Sequence, residues 1–114
     1  KWLKARLGGG QEIVKTDDEG FTRLYAGGVV DASNLRALRV TEEQVLTYLK
    51  TKITSLGNKT RLHQNCEPQP DGKWKYSYRI ITNIPQASLK IALEEITVDY
   101  RPVFAHGFLL SSIK

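Results

Sequence analysis

The sequence predicts a small α+β domain of ferredoxin-like type, order α-β-β-α-β, with two helices on one face of a small antiparallel sheet. Three observations predict it: an apolar stripe at helical spacing over 42–56, strict alternation from Trp74 to Thr82, and a second helical stripe between Leu89 and Tyr100. A chain of 114 residues has room for one hydrophobic core and not two. Its 40% hydrophobic and 25% charged residues, with only 4 prolines, are the composition of a packed domain.

The first 23 residues are expected to form a linker segment after a membrane anchor preceding Lys1, and 24–114 to form the domain. Gly8-Gly9-Gly10 breaks any helix begun at Trp2, and Thr16-Asp17-Asp18-Glu19-Gly20 has the polarity of a turn. Phe21 to Ala26 is a short strand candidate that Gly27-Gly28 interrupts. No apolar run approaches the roughly 18 residues that span a bilayer, and Lys1-Trp2-Leu3-Lys4 is not a signal peptide.

Thr41-Glu42-Glu43-Gln44 fits a capping box, with Val40 and Val45 at the staple positions. Val45, Leu49, Ile53 and Leu56 then repeat at helical spacing, and Gly57-Asn58 supplies the stop. Thr60 to Asn65 is expected to be a short strand, joined through the proline-bearing loop 67–72 to the strand Trp74–Thr82. There Trp74, Tyr76, Tyr78, Ile80 and Thr82 share one side and Lys75, Ser77 and Arg79 the other. After Pro85, residues Leu89, Ala92, Leu93, Ile96 and Tyr100 fall on one face of a predicted helix that Pro102 stops, and Phe108 to Ile113 forms a last strand.

Chemical motifs are sparse. His63, Cys66 and His106 are the only soft metal-ligand types, and a structural zinc site needs four ligands, so no metal or other cofactor is expected. A Cys-His nucleophile has no motif to anchor it. The lone Cys66 excludes an intramolecular disulfide and leaves the redox compartment open. Glu94, Glu95 and Asp99 are expected to face water on the predicted helix. The glycine run lacks the Lys-Ser/Thr of a phosphate loop, so no catalytic residue emerges and the chain is expected not to be an enzyme.

The net charge of +5 favours weak attraction to anions without fixing a partner. Trp74, Tyr76 and Tyr78 beside Lys73, Lys75 and Arg79 form the alternative reading, a base-stacking nucleic-acid module. Burial of those rings under the helices is preferred, so no nucleic acid is expected.

The stretch Pro85-Gln86-Ala87-Ser88-Leu89-Lys90-Ile91-Ala92-Leu93-Glu94-Glu95-Ile96, then Arg101-Pro102-Val103-Phe104 and Gly107 to Ile113, resembles the C-terminal unit of the M protein of type II secretion systems and its type IV pilus-assembly relative PilO. The resemblance covers residues 24–114. The stretch Asp31–Arg39 and the length of Thr97–Tyr100 depart from that pattern. The resemblance implies a bacterial inner-membrane protein whose periplasmic domain homodimerises, pairs with a similarly folded L-type platform protein, and assists assembly without catalysis. The contact surface would be the open sheet face and edges, with Lys75, Ser77, Arg79, Ile81, Leu109 and Ser111 as the partner-binding candidates.

Overall fold

Thr41 opens the longest helix as its residues dictate. Its hydroxyl accepts from the Gln44 amide at 3.1 Å while the Gln44 side chain accepts from the Thr41 amide at 2.9 Å. In the computed structural model, which describes residues 7–15 and 20–112, this helix is Glu42–Leu56. Gly57, at φ +56, ends it.

The other elements are β1 (Leu7–Lys15), β2 (Gly20–Val29), the short helix α1 (Ala32–Ala37), β3 (Trp74–Ile84), β4 (Leu89–Val98) and β5 (Arg101–Ser112), with Glu42–Leu56 as α2. The five strands form one antiparallel sheet in the order β1-β2-β5-β4-β3. The chain is therefore an α+β domain, and its order is β-β-α-α-β-β-β.

That order corrects the ferredoxin-like α-β-β-α-β expectation at several points. The predicted helix over 89–100 is β4 through Val98, along which residues alternate between intermediate and buried from Ile91 on. Its β-branched Ile91, Ile96, Thr97 and Val98 suit a pleated surface. The chain then reverses at Asp99-Tyr100, both at positive φ (49° and 67°), the geometry of a two-residue type I′ hairpin turn. Pro102 begins β5 and does not stop a helix. The predicted strand Thr60–Asn65 is irregular and only Cys66 makes an isolated bridge, to Tyr78.

The linker reading of the N-terminal segment is corrected for residues 7–15, which pair along their length with β2; residues 1–6 and 16–19 lie outside the described residues. Nor do Gly27-Gly28 interrupt β2. A Cβ on Gly27 would stand 2.1 Å from the Ala105 carbonyl oxygen, so glycine lets β2 run against β5 where a side chain could not fit.

Both helices lie on one face; α2 is the helix expected over 42–56, whereas α1 stands where no helix was expected. Leu35 of α1 and Val45 of α2 join Tyr76, Tyr78, Ile96, Val98, Phe104 and Phe108 in the core. Val40 is buried in the same cluster, as the staple position requires. Trp74 packs its ring 5.0 Å from that of Tyr48. Asp71 accepts from the Tyr48 hydroxyl at 2.6 Å and the Lys52 ammonium at 3.0 Å, tying α2 to the turn before β3. These two hydrogen bonds hold the Asp71 carboxyl below its ordinary range.

Candidate functional site

Opposed residues in an antiparallel pair point to the same side of the sheet, so the register sorts side chains into two faces. On the helix-covered face β4 places Glu94, with no exposure at all. Arg61, from the irregular segment after α2, clamps it with two charge-assisted hydrogen bonds of 2.7 Å each. The Tyr76 hydroxyl donates to Glu94 Oε2 at 2.5 Å, and Thr60 Oγ1, also 2.5 Å away, donates to Tyr76 in turn. His106 Nδ1 lies 3.2 Å from Glu94 Oε1, and beside an ionised carboxylate that nitrogen carries the proton.

Burial pushes the Glu94 carboxyl up, but the bonds from His106, Arg61 and Tyr76 outweigh it and bring the group down to about 2. Burial and the neighbouring carboxylate push the Tyr76 hydroxyl far above its ordinary range. Near neutral pH Glu94 is thus held ionised and Tyr76 protonated, the opposite of a poised acid or base. What the cluster does is hold a loop to the sheet. The Tyr78 hydroxyl donates to the Leu62 carbonyl at 2.6 Å and Arg23 to that of Arg61 at 2.6 Å. Arg61 itself sits at φ +65, a conformation such a residue keeps only when its surroundings hold it there.

Glu94 therefore corrects the expectation that it faces water. Sequence reasoning missed it because its partner Arg61 is 33 residues away and on no regular element. His63, Cys66 and His106 are held apart in role: His63 packs on Phe21 and accepts from Lys90, Cys66 bridges Tyr78, and His106 serves Glu94. Among the described residues, no three His, Cys, Asp or Glu side chains are grouped to hold a metal.

The other face carries no helix among the described residues. Its rows follow from the register: Gln11, Leu24, Leu109, Ile91 and Thr82 in one, and Gly9, Ala26, Gly107, Leu93 and Arg79 in the next. A third runs through Ile13, Thr22, Ser111, Leu89 and Ile84. Leu24 is 43% exposed, Leu109 42% and Ile13 67%. Charged residues on this face sit toward its borders, Lys75 and Arg79 on β3, Glu95 on β4 and Lys15 at the end of β1, and Arg79 lies 3.8 Å from Glu67 and 4.0 Å from Glu95.

Of the predicted contact residues, Lys75, Ser77, Arg79, Leu109 and Ser111 all belong to this face, with β4 between the two groups. Ser77 is buried there and so is not an exposed contact, and Ile81, in a bulge that breaks the β3–β4 register, is exposed. The bulge also corrects Thr82: it opposes Ile91 and so leaves the side of Tyr76 and Tyr78. Those two rings are fully buried under the helices. Leu24, Ile91 and Leu93 share this face and were not among the candidates; the alternating Leu89, Ile91, Leu93 pattern was the available signal. The chain matches no family model, no curated protein and no solved structure.

Proposed function

We propose that this chain is a non-enzymatic assembly module that docks another protein on the uncovered face of its sheet. The observation that carries the reading is the charge-free centre of that face, Leu24, Leu109, Ile91 and Leu93 on four adjoining positions of three strands. Five strands about 4.8 Å apart and ten residues long at about 3.4 Å each present a face of roughly 800 Å². That equals the roughly 800 Å² each partner contributes to a standard protein interface. Lys75 and Arg79 at the margin, on a chain of net charge +5, suit a partner with an apolar centre and an acidic rim.

The specific form of this reading places the module in the inner-membrane platform of a type II secretion or type IV pilus system, facing the periplasm. There it pairs with the L-type platform protein and with its own copy. Co-purification of the L-type protein with the full-length chain from detergent-solubilised membranes tests it. The L-type protein is expected to accompany the wild-type chain and to be lost from Leu109→Lys. Its absence from both preparations overturns the platform assignment.

A further inference from the structure

The two edges of the sheet are treated differently. Along β3 the segment 65–71 covers the edge: Cys66 and Tyr78 exchange backbone bonds of 2.8 and 2.9 Å, Asp71 and Trp74 bonds of 2.7 and 3.0 Å, and Asn65 Oδ1 accepts from the Ile80 amide at 2.7 Å. Along β1 no described segment lies against the edge. Native proteins blunt exposed edges with prolines, bulges or inward charges. β1 has no proline and no bulge, its nine residues pair with β2 in unbroken register, and its one charge on the helix-covered side, Glu12, is paired with Arg23.

We propose that β1 is a self-pairing strand, joining its own copy antiparallel across a two-fold axis at Gln11 and fusing two five-stranded sheets into one. This gives a surface to the self-association included in the proposed function, and that surface is separate from the docking face. Antiparallel overlap of all nine residues, Leu7–Lys15, puts the middle residue Gln11 opposite its copy. The remaining pairs then set small against large: Gly10 opposes Glu12 and Gly9 opposes Ile13. Gly9 is already required within one copy, since a Cβ there would meet the Tyr25 carbonyl oxygen at 2.7 Å, and Gly10 lies under the Tyr25 ring. They leave bare backbone that the Ile13 side chain of the other copy covers.

The neighbouring registers are worse. A shift one way opposes Glu12 to its own copy, and like charges directly opposite are destabilising. A shift the other way stacks Gly10 on Gly10 and shortens the overlap. In the full register Glu12 keeps its ion pair with Arg23 at 3.0 Å, so the pairing strands no charge. A strand-to-strand contact is smaller than a standard interface, and two copies of charge +5 repel, so the dimer is weak and strengthens with salt.

Cysteine cross-linking tests the geometry, because opposed residues on paired strands lie within disulfide reach. In a Cys66→Ser background, mild oxidation of concentrated Gln11→Cys is expected to yield a covalent dimer on a non-reducing gel, and Leu109→Cys to yield none. Amide exchange of Gly9–Ile13 is expected to slow as the wild-type concentration rises. Cross-linking at Leu109→Cys with none at Gln11→Cys would move self-association to the face, overturning the edge while sparing the proposed function. Concentration-independent exchange together with a strict monomer in sedimentation equilibrium would overturn self-association altogether.

Discussion

Toward the helices β4 presents Lys90, Ala92, Glu94, Ile96 and Val98, and toward the open face Leu89, Ile91, Leu93, Glu95 and Thr97. The covered side thus holds a carboxylate among buried Ala92, Ile96 and Val98, while the bare side holds leucine and isoleucine beside Glu95 and Thr97, two local inversions of the usual half-buried strand. Each inversion has a different remedy. Inside, Glu94 is tolerated because Arg61, Tyr76 and His106 replace the water it lost. Outside, no residue of the described chain does the same for Leu24 and Leu109, and in the proposed function a second protein would. Buried polarity here serves the fold, and exposed apolarity is what the proposed association would use.

Breaking the inner side gives the largest effects. Arg61→Ala leaves a buried carboxylate without its main partner, and is expected to lower unfolding stability by about 3 to 5 kcal/mol in urea titrations. Next comes acid. Because Glu94 titrates lower in the fold than its ordinary 4.5, its contribution is complete above that value and is lost as pH falls from about 4.5 to about 2. The loss is on the order of 3 kcal/mol, and Glu94→Gln is expected to remove that part of the pH dependence while being less stable at neutral pH. Stability of both proteins measured across that window checks the sign.

Tyr76→Phe is a smaller break. It deletes the hydroxyl between Thr60 and Glu94 while keeping the ring in the core, with an expected cost of about 1 to 2 kcal/mol by thermal or chemical unfolding. The same substitution leaves the outer face intact, so partner binding is expected to be unchanged at temperatures where the variant is folded.

How far the sequence carried the fold depends on whether the signal was local. The helix Glu42–Leu56 was legible to the residue because its capping box lies within four positions. The alternation from Trp74 was legible up to the bulge at Ile81. β4 was not, because Ala92 and Leu93 are both apolar and Glu94 sits where period two requires a hydrophobe, leaving a pattern that also fits a helix. The turn at Asp99-Tyr100 lacks the Gly or Asn that usually marks a type I′ hairpin. Five of the six contact candidates reached one face because alternation within β3 and β5 survives errors in everything between them. The Glu94 cluster was illegible, since it depends on three-dimensional proximity of Arg61, Tyr76 and His106.

The most direct test of the contrast is the double variant Leu24→Lys, Leu109→Glu, which places opposite charges at two opposed positions of the bare face. If that face is solvent-facing in the folded chain, each substitution falls within about 0.5 kcal/mol, and the urea midpoint stays close to the wild-type value. A collapse of several kcal/mol, comparable to Arg61→Ala, would show these leucines to be packed inside the chain's own core and would contradict the account.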